Sequence, residues 1–123
     1  MLAAHGHELG LENDTALKIG NAFGGGLGRT GETCGTVTGA LMIIGLKYGA
    51  ADLNDTASKA KTYEIAKEFL RKFKEMNNTL TCRELIGFDI GLKEKLSTDD
   101  WDIILKKCPK YITDASVILE GIV

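Results

Sequence analysis

The chain has 123 residues, of which 44% are hydrophobic and 26% charged, a size that suits one domain with one core and an apolar share that excludes a disordered chain. Fifteen Lys and Arg against seventeen Asp and Glu give a net charge of -2 with both signs interspersed, which excludes the basic footprint of a nucleic-acid binder. The longest near-apolar run, Val37 to Leu46, falls well short of the roughly 20 residues needed to cross a bilayer, so no membrane insertion is expected.

Helical spacing recurs along the whole chain, strand alternation hardly at all. The opening MLAAHGHELG begins apolar, like a helix entered midway, and the expectation is an N-terminal helix cut short by an internal Met start or a shortened chain. Beyond LEND, residues Ala16, Leu17, Gly20 and Phe23 lie at helical offsets and end at a glycine run. A nearly all-apolar helix follows from about Thr33 to Tyr48. The longest helix is predicted from Asp55 to about Met76, with Ile65, Ala66, Phe69, Leu70, Phe73 and Met76 on its buried face.

TCRE, Thr81 to Glu84, reads as a capping box opening a short helix. Ser97 with Asp99 and Asp100 starts another, on which Trp101, Ile104, Leu105 and Cys108 form an apolar stripe. Pro109 suits the first turn of a last helix burying Ile112, Ala115, Ile118, Leu119 and Ile122. The expected fold is all-α, one compact bundle of six or seven helices spanning residues 1–123.

The stretch FGGGLGRTGETCG, Phe23 to Gly35, contains GLGRTG, formally the G-x-G-x-x-G of a dinucleotide site. That motif needs a strand before it and a βαβ unit around it, and both are absent from the pattern. The better reading is a sharp interhelical turn in which Gly24, Gly25, Gly26, Gly28 and Gly31 supply positive φ angles. Thr33 would then cap the next helix and set Cys34 on its first turn. Gly35 and Gly39, four apart on one face, would admit a close neighbour.

The three cysteines, Cys34, Cys82 and Cys108, are an odd number without a C-x-x-C pair, which argues against a disulfide scaffold and a zinc ribbon. All three fall at expected helix starts or junctions beside basic residues (Arg83; Lys106, Lys107 and Lys110), conditions that lower a thiol pKa. The bland alternative is that they are small packing residues. No secretory signal pattern is visible, so the compartment read from the sequence is cytoplasmic and reducing.

FGGGLGRTGETCGTVTGALMIIGLKYG, followed by a lone cysteine in CRELIGFDI and another in CPKYITDASVILE, resembles the C_GCAxxG_C_C family of small redox-active proteins. The family's Cys-Gly-Ala-x-x-Gly element reads here CGTVTG, Cys34 to Gly39, with Thr36 replacing alanine; Cys82 and Cys108 match the third and fourth family cysteines, and the first has no counterpart. The resemblance implies redox activity. A relationship to a domain of split-Soret cytochromes makes an iron-sulfur cluster the most concrete cofactor, with Cys34, Cys82 and Cys108 as its ligands or as catalytic thiols. His5 or His7 could supply a nitrogen ligand in place of the missing thiol.

The reading carried forward is an electron-transfer protein whose clustered cysteines hold an iron-sulfur cluster or another metal. A metal-free thiol-disulfide protein, with Cys34 attacking and Cys82 or Cys108 resolving, is its nearest alternative, and a non-enzymatic helical module is the distant one. The redox partner is not named by the sequence, nor is any enzymatic activity. Glycines at 35/39 and 45/49 would suit a homodimer or contacts inside the monomer.

Overall fold

The computed structural model describes residues 1–122, which form a single all-α domain. Its helices are α1 (Leu2–Gly6), α2 (Asn13–Gly20), α3 (Gly35–Tyr48), α4 (Thr56–Asn77), α5 (Cys82–Ile86) and α6 (Thr98–Ile122), with 3-10 turns at His7–Leu9, Asn21–Phe23 and Ile90–Leu92. Among the described residues there is no strand, only one isolated antiparallel bridge between Thr33 and Thr81.

Helix α3 is apolar on every side, and the fold answers by surrounding it. Helices α1, α4 and α6 pack around it, and Val37, Ala40, Ile43 and Ile44 are buried. Gly39 is where α1 comes closest, since a Cβ there would stand 2.8 Å from the Met1 Cβ. Helix α4 brings Phe69 and Phe73, both fully buried, with ring centroids 6.1 Å apart. Helix α6 closes the core with Ala115, Ile118 and Leu119. A smaller cluster of Cys82, Ile86 and Ile90 packs against Ile104 and Cys108 at the other end of α6.

Several boundaries differ from the sequence-based expectation. Helix α6 runs unbroken through Pro109, so there is no junction at Cys108. The proline deletes only the bond its N–H would have made to the Leu105 carbonyl, and tertiary packing on both sides carries the helix across that gap. Trp101 is 52% and Leu105 68% exposed, so the expected stripe narrows to Ile104 and Cys108. Leu17, Met76 and Ile112 likewise face outward. The Ser97 start holds: the Asp100 N–H donates to Ser97 Oγ at 3.1 Å and the Ser97 N–H to Asp100 Oδ2 at 3.0 Å, a reciprocal cap. Lys93 Nζ, 2.9 Å from the same carboxylate, compensates its burial and helps hold its pKa below the usual range.

The capping box at α5 does not form, for the Thr81 side chain accepts no capping bond. The glycine turn does the capping instead. The Cys82 N–H donates to the Glu32 carbonyl at 2.6 Å, the Arg83 N–H to the Gly31 carbonyl at 3.1 Å, and the Cys34 N–H to the Leu80 carbonyl at 2.8 Å. Amides orphaned at the start of α5 thus find acceptors 50 residues back in the chain.

The turn itself is left-handed over five consecutive residues: Gly25, Gly26, Leu27, Gly28 and Arg29 all have φ between 62° and 74°. Gly24, expected to share this conformation, is extended. Leu27 and Arg29 carry a Cβ there, at a cost of roughly 1–2 kcal/mol each. Offsetting bonds run from the Arg29 N–H to the Gly24 carbonyl at 2.9 Å, from the Glu32 N–H to the Gly26 carbonyl at 2.9 Å, and from Thr30 Oγ1 to the Gly26 carbonyl at 2.7 Å.

Gly26 is the tightest point, since a Cβ would lie 2.6 Å from both the Cys82 Cβ and the Glu32 nitrogen, on top of a positive φ. Gly26→Ala is therefore expected to destabilise the fold by more than about 2 kcal/mol in urea unfolding. Gly20→Ala, where a Cβ meets open space on a helix, should be neutral or stabilising by about 0.5–1 kcal/mol. Equal effects at the two positions would contradict this account of the turn.

Candidate functional site

The bridge at Thr33 and Thr81 brings the start of α3 beside the start of α5. Cys34 follows Thr33 as the N-cap residue of α3, and Cys82 follows Thr81 as the first residue of α5, so the bridge carries both cysteines to one place in the fold. Cys108 arrives from α6, whose position is set on one side by Ile104 in the small cluster and on the other by Tyr111, whose hydroxyl donates to the Leu85 carbonyl at 2.6 Å.

All three cysteines line one cavity of about 830 Å³. Its floor is the glycine turn and the start of α3, its walls are α5, α6 and the first residues of α1, and Met1, Phe23, Met42, Trp101 and Tyr111 contribute to its surface. The three thiols, expected from the sequence to converge, do border a common space. All three are free.

At Cys82 and Cys108 the electrostatics run opposite to the sequence-based expectation. Burial pushes the Cys82 thiol up to about 11, and the neighbouring Cys34 and Cys108 sulfurs and the Asp89 carboxylate push in the same direction. Cys108 is raised as well, first by burial and then by Cys34. The basic residues adjacent in sequence are engaged elsewhere. Arg83 Nη1 sits 3.0 Å from Glu32 Oε1, Lys107 Nζ reaches the Ile86 carbonyl at 3.5 Å, and Lys110 Nζ binds Asp114 at 2.6 Å and Asn77 at 2.7 Å. Cys34 is the N-cap residue of α3, one position earlier than expected, and Thr33 does not cap it. Desolvation outweighs the helix-start effect because Cys82 is only 9% exposed.

Neither histidine joins the thiols. His5 Nε2 lies 3.2 Å from Ser116 Oγ, and its ring borders a separate, smaller pocket with Leu9, Lys47 and Glu120. His7 is exposed on the 3-10 turn after α1. Among the described residues no group of three or more His, Cys, Asp or Glu side chains is gathered so as to hold a metal ion. Thiolate donors have the softness that iron-sulfur, zinc or cuprous centres require, but the sulfurs are not drawn together into a ligand set.

Residues that periodicity did not single out also belong to the site. Arg29, in the left-handed turn, lines the cavity and donates from Nη2 to the Lys93 carbonyl at 3.3 Å. Asp89 reaches under Gly31, where a Cβ would stand 2.9 Å from its Oδ1. The nucleotide motif finds no support, since its glycines join a 3-10 turn to α3 with no strand on either side among the described residues.

A family model described as "Putative redox-active protein (C_GCAxxG_C_C)" matches residues 1–122. No curated protein and no solved structure matches the chain.

The raised Cys82 pKa has a direct readout. Thiolate is the alkylating species, and a pKa near 11 leaves about a thousandth of the thiol ionised at pH 8. Iodoacetamide labelling of Cys82 in the folded protein, followed by peptide mass spectrometry, should therefore climb steadily with pH up to about 11. A plateau near pH 8.5, the range of an unperturbed thiol, would show that burial does not govern this sulfur.

Proposed function

The chain belongs to the C_GCAxxG_C_C family, and from that premise we propose that Cys34, Cys82 and Cys108 act as one redox-active site, holding an iron-sulfur cluster or another thiolate-bound metal for electron transfer. The observation that carries this reading is the shared cavity: cysteines separated by 26 or more residues in the chain border one space, and the Cys34 sulfur adds to the burial that pushes Cys82 and Cys108 up. Thiols that resist ionising beside one another gain most from a cation, which replaces their protons and removes the mutual repulsion.

In such a site the turn-to-α5 bridge would set the positions of Cys34 and Cys82, while Cys108 would complete the donor set from α6. Gathering the sulfurs around a metal would draw together three residues that already line the same cavity. A bound cluster would supply a one-electron couple.

The absence of a pre-gathered ligand set among the described residues favours a second reading, the metal-free dithiol. Cys34 and Cys82, one residue past either partner of the bridge, would then be the exchanging pair, and a disulfide between them would hold their Cβ atoms about 3.5–4.5 Å apart.

Reconstitution with ferrous iron and sulfide under anaerobic conditions separates the two. The cluster reading expects visible charge-transfer absorption with iron and sulfide bound to the protein, and a loss of at least about tenfold in bound iron for each of Cys34→Ser, Cys82→Ser and Cys108→Ser. A colourless protein that instead gives a Cys34–Cys82 disulfide on mild oxidation would replace the cluster by the dithiol. Three freely alkylated thiols with neither behaviour would overturn both.

A further inference from the structure

The cavity is far larger than three sulfurs and a metal centre require. At about 830 Å³ it lies in the upper part of the range occupied by organic-ligand sites, roughly 300–1,000 Å³. Its wall is mostly hydrocarbon and aromatic: Phe23, Met42, Ile90, Trp101, Ile104 and Ile112 all face it. Trp101 and Ile112 remain 52% and 44% exposed, so the wall keeps apolar surface in contact with water. The charged residues on the wall are Arg29, Lys95 and Glu94, an excess of one positive charge at the end formed by the glycine turn and the segment before α6.

Arg29 is the most specific of these. It is held at a positive φ, it is exposed, and the one hydrogen bond of its side chain among the described residues uses a single guanidinium N–H, leaving the rest of the fork for an acceptor. Tyr111 also lines the cavity, with its hydroxyl committed to the Leu85 carbonyl.

From this combination we infer that the cysteine cavity binds a small organic molecule with an apolar ring system and one negative charge, the rings lying against Trp101 and Ile104 beside the thiols and the anionic group meeting Arg29. The inference names a ligand class for the site proposed above, and the use of such a molecule in electron transfer rests on that redox reading. Binding itself does not.

Two dyes of nearly the same shape test it: 8-anilinonaphthalene-1-sulfonate, which carries one negative charge, and neutral N-phenyl-1-naphthylamine. Both should bind the folded protein at one site per chain, with dye emission rising as the emission of Trp101, the one tryptophan, is quenched. The sulfonate should bind about five- to tenfold more tightly, and Arg29→Gln should abolish that preference while leaving the neutral dye unaffected. Filling the cavity with Ile104→Trp, or with Ile112→Trp at its rim, should weaken both dyes at least about tenfold, whereas Leu53→Trp, on a fully open loop, should not. Helical ellipticity shows which variants are folded, and two filling variants are used so that one misfolded protein does not decide the result.

Absence of dye binding, several weak sites per chain, or binding indifferent to both filling variants would overturn the inference. A stable dimer that excludes the dyes would do so too, because a second copy would then be the occupant of this face. Iron uptake on the same preparation is read separately: dye binding without iron keeps this inference and sinks the cluster, and iron without dye does the reverse.

Discussion

Three backbone hydrogen bonds between residues 31–34 and 80–83 hold the site together. Without them α5 would begin with orphaned amides, and among the described contacts only side-chain ones, such as the Arg83–Glu32 ion pair, would join the segment before α3 to the start of α5. A bond of this kind contributes about 0.5–1.5 kcal/mol net, so the set is a modest share of the fold's stability but decides the geometry of Cys34 and Cys82. The left-handed turn from Gly25 to Arg29 exists in the service of that contact. It reverses the chain after α2 and delivers the Gly31 and Glu32 carbonyls to α5.

The same closeness determines the chemistry. A thiol at a helix start in water gains from the dipole and from nearby lysines, and the sequence around each cysteine suggests such an outcome. In the fold, Cys82 is packed with Ile86 and Ile90, and Lys107, Lys110 and Arg83 turn to carbonyls and carboxylates. At Cys82 and Cys108, desolvation and the neighbouring sulfur act in one direction, toward the neutral thiol. Such thiols are poor nucleophiles on their own and are ligands that a soft cation could deprotonate.

Much of the bundle is legible in the sequence because it follows from apolar periodicity. Phe69 and Phe73 on α4, the apolar α3 and the Ala115, Ile118, Leu119 face of α6 are read directly from spacing. What was misread depended on contacts made across the chain. The Thr81 box looked sound locally, but the Glu32 and Gly31 carbonyls supply the cap instead. Pro109 looked like a boundary, yet the helix is packed on both sides of it. The three cysteines are legible as candidates, while the raised pKa values of Cys82 and Cys108 are not, because burial is a property of the assembled core. Arg29 was visible only as the variable position of a glycine motif, and its place on the cavity wall emerges once the turn's handedness is known.

Amide hydrogen exchange at Cys34 and Cys82, followed residue by residue by NMR, addresses the bridge most directly. Both amides donate to carbonyls on the opposite segment, so they should exchange as slowly as amides in the interior of α3, with Gly28 in the turn exchanging far faster. Exchange of Cys34 and Cys82 at the rate of an open loop, in a protein whose α3 remains protected, would mean that the bridge does not hold and that the thiols are not brought together by it.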